Sequence, residues 1–122
     1  MRFFLFLGSI LMFFAVALGA FGAHGLKGKI PDDLLTIYQT GVHYQMIHGL
    51  GIILVAILLG RFTGNGLIGG AGWAFFVGIL LFSGSLYAIS FTGVKILGMI
   101  TPLGGVAFLL GWLLLGIAAL RL

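Results

Sequence analysis

The chain of 122 residues is 61% hydrophobic and only 7% charged, with a mean hydropathy of +1.30. Soluble domains carry about 25% charged residues, so this composition excludes one and marks an integral membrane protein. The net charge of +4 comes from cations placed singly rather than in a patch, which gives nucleic acid no surface, and the lack of cysteine excludes disulfides and thiolate metal sites.

Arg2, Lys27, Lys29, Asp32, Asp33, Arg61, Lys95 and Arg121 bracket four uncharged runs, 3–26, 34–60, 62–94 and 96–120. Each run exceeds the roughly 20 residues a helix needs to cross about 30 Å of hydrocarbon. The runs are apolar on every face and lack the alternation of a β-barrel strand, so helices satisfy the backbone in lipid. The chain is predicted to be an all-α integral membrane protein, a four-transmembrane-helix bundle forming one domain over 1–122. Its spans are placed at about 3–23, 38–60, 71–90 and 102–120.

The first span opens like a secretory signal, but its apolar run is longer than a signal core. Within it Ala15, Gly19 and Ala23 recur at four-residue spacing and offer a flat face for helix packing. Pro31, Asp32 and Asp33 suit a helix start, with the carboxylates at the positive end of the helix dipole. The second helix is then longer than the hydrocarbon is thick, so its first turns lie among headgroups or it bends near Gly41. Arg61 to Gly72 reads as a glycine-rich connector. Thr101 as a cap and Pro102 in the first turn open the fourth span, which holds Trp112.

Four spans in series put the end of span one, the start of span two, the end of span three and the start of span four on one side of the membrane. That side receives His24, the stretch YQTGVHYQMIHG at 38–49, Ser83, Ser85, Tyr87, Ser90, Thr92 and Thr101, so the bundle has a polar cluster in one membrane half. At 100° per residue Tyr38, Gly41, Gln45, His48 and Ile52 share a sector of about 80°, with Tyr44 beside it and His43 projecting away. Ser83, Tyr87 and Ser90 form a second stripe. Gln45, His48 and Ser83 lie deep in the apolar layer, His24 and His43 near its edge. At that depth polar groups face protein or a wet cavity.

His43 and His48 point about 140° apart and have no carboxylate within a span, so they do not form a metal site. A haem between His24 and His48, or a quinone or lipid held by His48, Gln45 and Tyr44, are the ligand readings, and Ser83 with His48 lacks the carboxylate that hydrolytic catalysis needs. The bland reading is that His24, Tyr38, Tyr44, Gln45, His48, Ser83 and Tyr87 simply bond neighbouring helices.

GAFGAHGL at 19–26, YQTGVHYQMIHGLG at 38–51, FSGSLYAIS at 82–90 and ITPLGG at 100–105 together resemble the blocks of a small bacterial membrane protein family, domain of unknown function 423, which is similar to transmembrane protein 256 of animals. The resemblance spans essentially the whole chain. It implies a multi-pass protein of the bacterial inner membrane, and it brings no activity with it. His24, Tyr44, Gln45, His48, Ser83, Ser85, Tyr87, Thr101 and Pro102 fall in the matching blocks.

The expectation is a non-enzymatic bundle with no cofactor, embedded in the lipid bilayer as a homo-oligomer or an accessory subunit of a larger membrane complex. The alternative is a ligand-handling protein, a small transporter or a quinone, lipid or haem binder, using His48, Gln45 and Tyr44. Orientation is undetermined by charge, since Arg2, Arg61 and Arg121 on one side balance Lys27, Lys29 and Lys95 on the other.

Overall fold

A computed structural model describes residues 1–122. Helix α1 runs Arg2–Phe21 and widens into a π turn at Gly22–Leu26; α2 runs Asp32–Arg61. Helix α3, Gly66–Gly78, passes through a π segment at Ile79–Ser83 into α4, Gly84–Thr92, as one rod. A 3-10 turn at Lys95–Met99 leads into α5, Thr101–Leu120. The four rods Arg2–Leu26, Asp32–Arg61, Gly66–Thr92 and Lys95–Leu120 are each long and apolar enough to cross a membrane.

Helix α2 begins at Asp32, at the start that Pro31 to Asp33 marked, and of the two alternatives for its length it takes overhanging ends rather than a break at Gly41. Two other boundaries differ from the sequence reading. Gly66 to Gly72 is not a connector but the opening turns of α3. Asn65 caps it, accepting from the amides of Leu67 and Ile68 at 3.1 Å each, and in lipid the demand for internal backbone bonds overrides the poor helix propensity of glycine. Thr101 does not cap α5; its hydroxyl is spent on Ser85 instead.

Each rod packs on its sequence neighbour, and α1 and α5 share no packed interface. Phe4 of α1 reaches Gly72 of α3, while Trp112 of α5 reaches His48 of α2. The cross-section is therefore a rhombus with α2 and the third rod on its short diagonal and α1 and α5 at the far corners. That placement leaves apolar side chains such as Phe6, Phe13, Leu109 and Leu113 exposed for lipid.

Aromatic rings seated in glycine notches set the rod spacing. A Cβ on Gly22 would lie 2.5 Å from the Tyr38 ring, one on Gly41 2.9 Å from Tyr87, one on Gly72 2.8 Å from Phe4, and one on Gly111 2.5 Å from Phe75. Small residues let helices approach where lipid removes the hydrophobic drive to associate. The half near the chain termini has a dry core built from Phe4, Ile52, Val55, Ile68, Phe75 and neighbours. The other half holds a smaller apolar cluster, Leu26, Leu35, Tyr38 and Val42, and nearly all the polar bonds between rods.

Each link between rods turns on one left-handed glycine: Gly28 at φ +81°, Gly64 at +78° and Gly93 at +71°. At Gly93 there is open space around a Cβ, so only the backbone conformation opposes a side chain. Gly93→Ala is therefore expected to cost about 1 to 2 kcal/mol. Gly105→Ala, helical and equally open, should be neutral or gain up to about 1 kcal/mol. Unfolding by SDS titration from mixed micelles reads both.

Candidate functional site

The inward face of α2 follows from its spacing: Tyr38, Gly41, Gln45, His48 and Ile52 are all buried and His43 is exposed. Each polar side chain on that face bonds another rod. The Tyr38 hydroxyl donates to the Leu18 carbonyl of α1. Gln45 donates through Nε2 to the Leu11 carbonyl of α1 at 2.8 Å and accepts through Oε1 from the Tyr87 hydroxyl of α4 at 2.6 Å. One amide thus straps three rods together. Ser83 Oγ donates to the Gly41 carbonyl at 2.7 Å, and Ser90 Oγ lies 3.1 Å from the Leu34 carbonyl. Ser85 and Thr101 join the third and fourth rods, oxygen to oxygen at 2.5 Å.

His48 is held on both sides of its ring. Its Nδ1 lies 2.8 Å from the Tyr44 carbonyl, which can only accept, and the Trp112 indole N–H, which can only donate, lies 3.0 Å from Nε2. The partners therefore define a neutral imidazole with its proton on Nδ1 and the Nε2 lone pair occupied. Phe108 stacks on the ring at 3.6 Å between centroids, with the planes 9° apart. A haem iron or metal ion would need the Nε2 lone pair that Trp112 already takes.

No buried side-chain nitrogen or oxygen lacks a partner. The arrangement is a set of interhelical ties rather than a preorganised reactive centre. Ser83 and His48 bond different partners and do not meet each other.

Several sequence-predicted residues fall elsewhere. His24 is exposed and joins no bond of the cluster, because it lies nine residues after the buried Ala15 and hence about 180° around the helix. The packing row of Ala15, Gly19 and Ala23 drifts outward for a related reason: a step of four residues overshoots a 3.6-residue turn by about 40°. Ala15 is fully buried, Gly19 half-buried and Ala23 exposed, while Gly22 takes the inward position against Tyr38. Tyr44 is 38% exposed, its ring 4.4 Å from that of Phe82 and its hydroxyl unbonded. With His48, Phe82, Phe108 and Trp112 it lines an open groove of about 530 Å³ on the lipid side of α2 and α5. Trp112 carried no motif; the available signal was an indole in mid-span, where its N–H needs an acceptor, rather than at an interface.

Four apolar rods, a lipid-facing apolar exterior and polar ties concentrated in one half define a small integral membrane protein of the all-α class. The family described as "Protein of unknown function (DUF423)" matches residues 18–105, and the chain belongs to that family. It is 54% identical over 121 residues to the UPF0382 membrane protein YwdK of Bacillus subtilis, covering 99% of this chain and 98% of that one. A UPF0382 membrane protein of Staphylococcus epidermidis is 48% identical over 121 residues with the same coverage, 99% and 98%. One of Staphylococcus saprophyticus is 43% identical over 122 residues, covering both chains fully. No solved structure matches the chain.

Proposed function

We propose that this protein works by association, as a non-enzymatic bundle of the bacterial inner membrane that forms a homo-oligomer or serves as an accessory subunit of a larger membrane complex. The observation that carries this reading is saturation of the interior: Gln45, Ser83, Tyr87 and both nitrogens of His48 are consumed by bonds within the chain. An interior transport path would also have to cross the dry half built on Ile52, Val55, Ile68 and Phe75, where no polar side chain is buried. What remains for a partner is the outer surface. Native mass spectrometry from lipid nanodiscs is expected to give assemblies heavier than the 12.9 kDa chain. A lone monomer in nanodiscs and in several gentle detergents would overturn the proposal.

The groove beside Tyr44 favours a second reading, a bound lipid or quinone. Gln45 and His48 cannot contribute without breaking their ties, which leaves the Tyr44 hydroxyl as the polar contact. On this reading a quinone or lipid copurifies in stoichiometric amount and is lost in Tyr44→Phe. On the association reading, extraction and mass spectrometry give the same bulk lipid from both proteins.

A further inference from the structure

We infer that a second copy of this chain docks on the outward face of α2 around Gln39 and His43, forming a two-fold dimer in the polar half of the membrane. This deepens the association reading and rests on it.

Gln39 and His43 stand one turn apart on α2, both exposed, and neither enters a hydrogen bond within the chain. With the middle of the 30-residue helix on the bilayer midplane, Gln39 lies ~4 Å and His43 ~10 Å inside a hydrocarbon layer about 30 Å thick, so His43 sits deeper than the edge position expected for a span beginning at residue 38. Polar side chains at such depth almost always face protein or a water-filled cavity. The other polar groups of the spans obey that rule, being bonded to a neighbouring rod or to their own backbone. The exceptions are the Trp73 indole, an aromatic group suited to the interface, the Tyr44 hydroxyl, whose ring lines the groove with Phe82 and Phe108, and His24 in the last turn of the first rod. Gln39 and His43 are thus left as a matched pair without a partner.

The chemistry of the pair selects its occupant. A glutamine amide presents donors and an acceptor, and an imidazole ring presents a donor and, in its neutral form, an acceptor. Lipid chains offer neither, and lipid ester carbonyls only accept, so they leave Oε1 and the free imidazole lone pair unmet. The same two side chains on a copy related by a two-fold axis along the membrane normal supply both kinds of group at matching depth, as a self-complementary interface requires. Beside them runs a shallow groove of about 380 Å³ floored by Gly19 and Val42, which gives a neighbouring helix room to approach.

The natural absence of cysteine makes the test clean. Thr36→Cys and Ile47→Cys report on the same exposed face of α2 without touching the pair; Leu109→Cys on α5 is the control. Purified full-length protein is reconstituted at high lipid excess and oxidised with copper phenanthroline. Disulfide dimers are expected for Thr36→Cys and Ile47→Cys and not for Leu109→Cys. Adding Gln39→Leu and His43→Leu should weaken dimerisation about tenfold or more, equivalent to about 1.4 kcal/mol, with unchanged helicity and unfolding midpoint, because neither side chain is bonded within the chain. Cross-linking at Leu109→Cys as strong as at Thr36→Cys overturns this interface while leaving association intact. Cross-linking at none of the three, together with monomers by mass spectrometry, overturns both. Adducts of greater mass seen only in whole membranes assign the face to a different protein and also overturn the two-copy dimer.

Discussion

Gly104→Ala is expected to force the third and fourth rods apart and to destabilise the bundle by about 2 to 3 kcal/mol, the upper range for overpacking. The added Cβ would fall on the backbone nitrogen of Phe82, 2.7 Å from its Cβ and 2.8 Å from its Cα. A side chain could rotate away, but the backbone of a helix can yield only by moving the helix. Phe82 lies in the π segment of the third rod, whose next residue, Ser83, bonds Gly41 of α2, so displacement would also strain that tie. Gly105→Ala is the matched control, one residue along with open space around it. Equal midpoints for the two variants in SDS unfolding would show that close approach at Gly104 does not set the contact.

The second large effect is expected at Gln45. Gln45→Leu keeps the packing volume but removes the acceptor of the Tyr87 hydroxyl and the donor to Leu11, so the third rod and α1 each lose a tie to α2. Interhelical bonds in membranes contribute about 0.6 to 2 kcal/mol each, and a buried group left unpaired costs about 1 to 3 kcal/mol, so a loss of about 2 kcal/mol is expected. Tyr87→Phe alone should cost less, since it spares the Leu11 bond. The double variant should be less destabilised than the sum of the two, because the phenol that Gln45→Leu strands is gone. Strict additivity would mean that the two side chains do not interact.

Much of this architecture was legible in the residues. Charge-free runs gave four rods because lipid forbids unpaired backbone and charge alike. Helical spacing then placed Tyr38, Gly41, Gln45 and His48 inward and His43 outward, and the structure has them so. Rotation about one helix is local information. Contacts between helices are not, which is why the partners of the inward face were only partly foreseen: Tyr87 and Ser83 were grouped with it by depth, but Trp112 was not. His24 was grouped by depth alone, and depth says nothing about direction; counted from Ala15, it points to the far side of α1. The first turns of α3 were hidden because propensity learned in water penalises Gly66, Gly69, Gly70 and Gly72, although Asn65 gave a capping signal. The glycines themselves were visible as small residues, but which ring each would receive depends on the rhombic arrangement of the rods.

The same geometry narrows what the polar half can do. Glutamine, serine, tyrosine and histidine in an apolar layer allow either a pocket or ties between helices, and their bonds show a lattice in which each buried group already has its partner. Such ties hold rods in register at moderate stability cost or gain, since an unassembled helix in lipid also finds partners for its polar groups. Their larger effect is on specificity: a slipped or rotated α2 would leave Gln45 and His48 unpaired in hydrocarbon.

The most direct test of that claim is side-chain nitrogen NMR of His48 in protein carrying labelled histidine, reconstituted in bilayers at neutral pH and assigned with His48→Gln. The geometry predicts a single neutral ring protonated on Nδ1, with Nε2 in the shift range of a hydrogen-bonded lone pair that moves when Trp112 is replaced by phenylalanine. A ring protonated on Nε2, an imidazolium, or a spectrum indifferent to Trp112→Phe would contradict it and reopen His48 as a group free to meet a ligand.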